Sequence, residues 1–243
     1  MIYVMSDIHG QYQTFLKMLK KINFSDNDTL YILGDIMDRG EQPINIYRYI
    51  KDRKNIHLLM GNHEQMLLDT IEEFGKECFN RPYCGSYFYS KSYMFRMWEA
   101  NGGFSTIKQI VENMEQSERE EMFDFLKSIP FYHILNYKDN KKILLCHSCI
   151  DFGKDIPPER SIARSVKNSD ILWNRRDKYD NIPDNYIIIH GHTPVQKLFK
   201  KNVITCYNNK QVYDIDCGCA GKYRLACLRI DDMKSFYVDV ESD

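Results

Sequence analysis

Leu30-Tyr31-Ile32-Leu33-Gly34-Asp35-Ile36-Met37-Asp38-Arg39-Gly40 passes from an apolar run into a short charged loop. The run reads as a buried strand. Gly34 ends it, and Pro43 stands where the first turn of a helix would begin. The junction therefore displays two carboxylates and a guanidinium on one loop. Two further apolar runs end the same way: Ile2–Met5 leads into Ser6-Asp7-Ile8-His9-Gly10, and Ile56–Met60 into Gly61-Asn62-His63-Glu64. The motifs are spaced on the order of 30 residues apart, the length of a strand–helix–strand unit. Parallel strands of such units bring their C-terminal ends to one edge, where open α/β sheets bind ligands. Asp35 is then flanked by Asp7 and His9 on one side and by Asn62 and His63 on the other. Oxygen and imidazole donors grouped in this way predict a metal site.

At 243 residues the chain is long enough for one α/β domain with a substantial core, and a single domain over 1–243 is expected. The formal charge is −1 with both signs interspersed, so no footprint for DNA or RNA is present. No apolar segment approaches the ~20 residues of a membrane helix. The N-terminus enters a strand at once and carries no secretory signal pattern, which predicts a cytoplasmic protein. Eight cysteines in a chain of this length make no disulfide scaffold. Cys146-His147-Ser148-Cys149 has CxxC spacing but no second pair to complete a four-cysteine zinc site. Cys217-Gly218-Cys219 reads as part of a strand. Buried or free thiols suit a reducing compartment.

Helical spacing of apolar residues predicts helices over Tyr12–Ile22, Glu41–Ile50 and Glu64–Phe74. Residues 75–130 then change character, rich in aromatics and charges, with helical patterning at Thr106–Met114 and Arg119–Leu126. They read as a helical insertion over one side of the sheet edge, in which Trp98 and the tyrosines serve packing. Tyr132–Leu135 and Lys141–Cys146 read as a hairpin. The last third is strand-rich, with candidates at Tyr186–Ile189, Val203–Tyr207, Val212–Ile215, Arg224–Ile230 and Ser235–Val240. His147 and His192 stand at the ends of two of these apolar runs, as the earlier donors do. His190 is a weaker candidate for a supporting place, and His57 and His133 match no pattern.

Taken in order, Asp7-Ile8-His9, Gly34 to Gly40 and Gly61 to Glu64 resemble the sequence mark of the PPP-type metallophosphoesterases. Within that family the chain is similar to the small bacterial and lambda-phage protein phosphatases. The likeness rests also on Gly61 to Met66, on Trp98 with Asn101-Gly102-Gly103, on Leu172-Trp173-Asn174-Arg175 and on Gly191-His192-Thr193-Pro194. It extends from residue 2 to about residue 230. It implies a mixed α/β fold, a central β-sandwich flanked by helices.

The resemblance also implies a site. Asp7, His9 and Asp35 would hold one metal; Asp35, Asn62, His147 and His192 would hold a second. A shared carboxylate at Asp35 would bridge two cations roughly 3.5–4 Å apart. Donors without thiolate suit Mn²⁺, Fe or Zn²⁺, and manganese is the family habit. A bridging water, acidified from 15.7 toward about 7, would attack phosphorus in line. Arg39 and Arg175 would clamp phosphoryl oxygens, with Asn62 also touching substrate. His63 would protonate the leaving group, Asp38 would orient His63, and Glu64 would support the site from outside.

The implied activity is a serine/threonine protein phosphatase acting on phosphorylated proteins or peptides. A dinucleoside tetraphosphatase built on a related site is the alternative, and a non-catalytic scaffold a third. Asp38 beside Arg39 and Glu64 after His63 favour the phosphatase. The tetraphosphatases of this superfamily commonly have Ala and Asp at those places. After Asp216 the chain lacks the longer segment of the eukaryotic members, so no obligate regulatory subunit is expected.

Overall fold

The structure, a computed structural model, describes residues 1–75, 79 and 93–241. The first three apolar runs form β1 (Ile2–Met5), β2 (Thr29–Ile32) and β3 (Ile56–Leu58), joined and followed by α1 (Tyr12–Lys21), α2 (Pro43–Ile50) and α3 (Asn62–Phe74). Next come α4 (Tyr93–Ala100), α5 (Phe104–Asn113) and α6 (Gln116–Ser128), then the hairpin β4 (Tyr132–Asn136) and β5 (Lys142–Cys146). The remainder holds α7 (Pro158–Lys167), α8 (Asp170–Trp173), β6 (Tyr186–His190), α9 (Val195–Phe199), β7 (Thr205–Tyr207), β8 (Val212–Asp214), β9 (Arg224–Arg229) and β10 (Lys234–Asp239). Observed ends differ from the predicted ones by a few residues.

Two five-stranded sheets result, ordered β10-β9-β1-β2-β3 and β4-β5-β6-β8-β7. In the first, β1, β2 and β3 run parallel and β9 and β10 add antiparallel; in the second, β5, β6 and β8 run parallel between antiparallel edges. Strand alternation divides the core. Val4, Tyr31, Leu33 and Leu59 meet Ile143, Leu145, Ile187 and Ile189 in one buried cluster between the sheets. Their neighbours Tyr3, Met5, Leu30, Ile32, Leu144 and Ile188 join the cluster that packs the outer helices. The expected sandwich with flanking helices is what forms.

Of the insertion expected over 75–130, residues 76–78 and 80–92 lie outside the described residues. The rest is helical and packs on α2 and α3. Arg48 on α2 meets both oxygens of Glu118 on α6 at 2.6 and 2.7 Å, and Lys51 meets Glu121 at 2.9 Å. The strand expected at Cys217-Gly218-Cys219 does not form. Gly218 takes φ 77° and turns the chain into a 3₁₀ turn at Cys219–Gly221, with its N–H on Asp216 Oδ1 at 2.9 Å. The described cysteines Cys146, Cys149, Cys206, Cys217, Cys219 and Cys227 are all free; Cys78 and Cys84 lie outside the described residues. Among the described residues, no helix is long and apolar enough to cross a membrane.

Candidate active site

The loops that leave β1, β2 and β3 in one sheet and β5 and β6 in the other converge. Backbone bonds lace the first two: His9 N–H to Asp35 O at 2.9 Å, Gly10 N–H to Ile36 O at 2.9 Å, and Gly40 N–H to His9 O at 3.0 Å. The second sheet joins through Gly191 N–H on His147 O and His192 N–H on Asp7 Oδ2, each at 2.9 Å. Asp7, His9, Asp35, Asp38, Arg39 and His192 all sit at positive φ, between 46° and 72°. Each such residue costs on the order of 1–3 kcal/mol, a strain that clusters where function over-determines the backbone. Every one of these six is a residue that the sequence reading placed in the site.

The donor atoms suit cations. His147 donates its Nδ1–H to Leu33 O at 2.7 Å, which leaves a lone pair on Nε2. That lone pair faces Asn62 Oδ1 at 2.9 Å, His192 Nδ1 at 3.0 Å and Asp35 Oδ2 at 3.5 Å. Acceptors crowded together in this way repel one another unless a positive charge lies among them. On the other side, His9 turns its Nδ1–H to Met37 O at 2.9 Å and its Nε2 toward Asp35 Oδ2 (3.4 Å) and Asp7 Oδ1 (3.9 Å). Asp35, His147 and His192 form one set of possible ligands, and His9, Asp35 and His63 another. His192 Nε2 is buried without a partner. Burial raises Asp35 well above the usual carboxylate range, and the charges of Asp7 and Glu64 push it the same way. Burial also lowers His9, His147 and His192, keeping the imidazoles in their ligating neutral form. The residues present fit two divalent cations that share Asp35.

Ligand type alone does not assign His63, whose Nε2 is 3.8 Å from Asp35 Oδ2. Its other nitrogen sets it apart: Nδ1–H donates to Asp38 Oδ2 at 2.6 Å. Asp38 is fully buried, and burial pushes its carboxyl up to about 7 against the bonds from Thr106 and Trp98 and the Arg39 charge. Burial, then the Arg39 guanidinium, lower His63. Arg39 reaches two imidazoles at once, giving Nη1–H to His9 Nε2 at 3.0 Å and Nη2–H to His63 Nε2 at 2.9 Å. A positive fork already stands on lone pairs directed at the centre.

Glu64 explains how the central loop is held. Its buried carboxylate accepts the N–H groups of Asp35 (2.8 Å), Ile36 (2.9 Å), Met37 (3.1 Å) and Gly61 (3.1 Å). It occupies N3 of α3, so the helix cap and the loop share one anion. A Cβ at Gly61 would run into Asp35 Oδ1 and Glu64 Oε2, so only glycine lets these strands approach. Glu64→Gln turns an NH₂ toward two backbone donors. We expect a loss of about 3 kcal/mol and a Tm fall of roughly 6–12 °C by calorimetry. An unchanged Tm would show that the four bonds do not stabilise the loop.

Arg175 follows α8 on a solvent-facing loop. Ser148 pins that loop, donating to Asp170 O at 2.8 Å and accepting Asn174 N–H at 3.1 Å. Arg176 pairs with Asp151, whereas Arg175 feels the charges of Asp7, Arg39 and Asp35. His190 takes no supporting place in the centre: β6 ends there, and its Nε2 bonds the Tyr207 hydroxyl at 2.8 Å. His57 and His133 stack on Tyr31 at 5.0 and 4.9 Å, away from the ligands. The sequence reading missed Thr106, whose hydroxyl bonds Asp38 Oδ1 at 2.5 Å, and saw only packing in Trp98, whose Nε1–H donates to Asp38 Oδ2 at 2.8 Å. Local spacing carries no signal for contacts 60 and 68 residues apart.

Over 167 residues the chain is 24% identical to the symmetrical bis(5'-nucleosyl)-tetraphosphatase of Salmonella paratyphi B, covering 68% of this chain and 49% of that protein. The chain thus spans about half the length of the curated relatives it matches. A solved structure provisionally assigned as a diadenosine tetraphosphatase superposes with TM-score 0.63 at 13% identity, covering 100% of this chain and 94% of that one. A serine/threonine phosphatase from Saccharomyces cerevisiae gives 0.57 at 15% identity, over 100% and 80%. Both likenesses concern the fold. The profile of the calcineurin-like phosphoesterases matches residues 1–218, which takes in β1 to β8, both donor sets and the loops that carry them. The chain belongs to that family.

Proposed function

We propose that this phosphoesterase hydrolyses phosphomonoesters with alkyl leaving groups, chiefly phosphoserine and phosphothreonine in proteins. The buried His63–Asp38 pair at 2.6 Å is the observation that carries the reading. A serine alkoxide leaves poorly and gains strongly from an oriented general acid. Asp38 fixes Nδ1–H, which leaves Nε2, facing the centre, as the nitrogen that would carry the proton for transfer. Arg39 occupies that nitrogen in the present arrangement. When its guanidinium turns to phosphoryl oxygens, as its fork geometry favours, Nε2 is released to take up and deliver a proton. Arg175 supplies a second positive group from the facing loop, and Asn62 lies beside His147 where it can touch both cation and substrate.

Asp7, His9 and Asp35 would hold one divalent cation and Asp35, Asn62, His147 and His192 the other. When bound, the pair would acidify the attacking water and offset charge on the phosphoryl group. An open groove of about 460 Å³, lined by Arg164, Trp173 and Arg175 among others, gives room for the rest of a peptide. The described cysteines, all free, accord with a reducing, cytoplasmic setting.

The tetraphosphatase reading is favoured by the curated relatives, at 24% identity. One comparison separates the two. With Mn²⁺, kcat/KM is measured in one preparation on phosphoserine, phosphothreonine and phosphotyrosine peptides and on diadenosine tetraphosphate. We expect the serine and threonine peptides to lead. A preference of about tenfold or more for the nucleotide, 1.4 kcal/mol, would overturn the choice of substrate and leave the metal chemistry standing.

A further inference from the structure

Asp38 is a fully buried charge of the site and is gripped from outside the sandwich. Its Oδ1 accepts the Thr106 hydroxyl at 2.5 Å, and its Oδ2 accepts Trp98 Nε1–H at 2.8 Å together with His63 Nδ1–H at 2.6 Å. Its own N–H returns to Thr106 Oγ1 at 2.9 Å, so Thr106 holds the residue at backbone and side chain alike. Asp38, Trp98 and Thr106 are each fully buried. Trp98 lies on α4 and Thr106 on α5, and the turn between them also seats Arg39: Gly102 O accepts its N–H at 3.1 Å and Asn101 O its Nε–H at 3.2 Å. A Cβ at Gly103 would meet the Trp98 indole at 2.7 Å, so the ring has no room to swing away on that side.

Given the reading of His63 as proton donor, on which this rests, we propose that the α4–α5 segment positions the general acid, with Trp98 and Thr106 holding Asp38 in the orientation that aims His63. The two bonds fix both carboxylate oxygens, and so the direction in which Oδ2 points its lone pair at His63. Asp38 without them could still accept from His63, but from a carboxylate free to rotate. The imidazole would then spend less time aimed at the leaving oxygen. Trp98 and Thr106 touch neither substrate nor cation; they act through Asp38. The alternative is that they merely satisfy a buried charge, as any donor would. The two cases differ in which substrates suffer. A lost positioning contact slows substrates that need a proton, whereas a lost structural contact slows all of them.

Thr106→Val removes the hydroxyl at nearly constant volume, Thr106→Ser restores it, and Trp98→Phe removes the indole N–H while keeping an aromatic ring. Each is compared with wild type for kcat and KM on a phosphoserine peptide and on p-nitrophenyl phosphate, with bound metal and Tm measured in the same samples. We expect Thr106→Val and Trp98→Phe to lose kcat on the peptide at least about tenfold more than on the aryl ester, part of the 10²–10⁴ range of general-acid catalysis. Thr106→Ser should recover most of it. Equal losses on the two substrates, or no loss, would overturn the proposal. If Thr106→Val fails to fold, Trp98→Phe decides by the same split. His63→Asn separates the levels. Selectivity in His63→Asn without selectivity in these variants sinks only the positioning role. Absence of selectivity in His63→Asn itself sinks the acid assignment, and the positioning role with it.

Discussion

Asp35→Asn is expected to lower hydrolysis by about 10³-fold or more and to lower bound metal in the same preparation, since two cations would offset charge worth several kcal/mol. The substitution is nearly isosteric. Asp35 Oδ1 accepts His63 N–H at 3.1 Å, a bond that an amide oxygen can keep, so the start of α3 should survive. What disappears is the charge on Oδ2, placed 3.4 Å from His9 Nε2 and 3.5 Å from His147 Nε2. A neutral amide would not offset the repulsion between two cations that share this residue. Both donor sets include Asp35, so both should weaken together. Metal content is read by elemental analysis after gel filtration, and folding by circular dichroism. Chelation should silence the wild type and Mn²⁺ should restore it. Full wild-type activity after prolonged dialysis against excess chelator would remove the two-cation reading.

The part of the site that the sequence made legible is the part built by strand ends. Asp7, Asp35 and Asn62 follow apolar runs about one strand–helix–strand unit apart, and parallel pairing with that spacing forces their loops to one edge. His147 and His192 also follow apolar runs, but a histidine at a strand end is more often a core residue, and it was the family resemblance of Gly191-His192-Thr193-Pro194 that completed that reading. The grip on Asp38 was not, because Trp98 and Thr106 belong to helices whose docking depends on tertiary packing. The helix α7 was missed on similar grounds. Over Pro158–Lys167 only Ser161, Ile162 and Ser165 are buried, so its inner face offers a single large apolar residue to read. The positive φ values around the centre are likewise invisible in composition. Asp and His tolerate that region better than most residues, but Arg39 at 66° is held there by its neighbours.

His63→Asn should discriminate between leaving groups. The imidazole has two jobs available: ligand, since its Nε2 is 3.8 Å from Asp35 Oδ2, and acid, since its Nδ1–H is committed to Asp38. A ligand serves every substrate alike. An acid serves those whose leaving oxygen must be protonated as it departs, and its removal is worth typically 10²–10⁴-fold on them. A nitrophenolate departs without that help, so p-nitrophenyl phosphate reports the rest of the machinery with the acid discounted. The substitution leaves the backbone N–H of that position on Asp35 Oδ1, and so disturbs the Asp35 carboxylate little. The expected result is a loss on phosphoserine peptide at least about tenfold larger than on the aryl ester, with metal content near that of wild type. Asp38→Asn, which loosens His63 without removing it, should show the same selectivity in weaker form. Equal losses on both esters with metal content unchanged would move His63 to substrate binding. Equal losses with metal content reduced would make it a ligand beside His9 and Asp35, and the proton for the leaving group would have to come from elsewhere in the site.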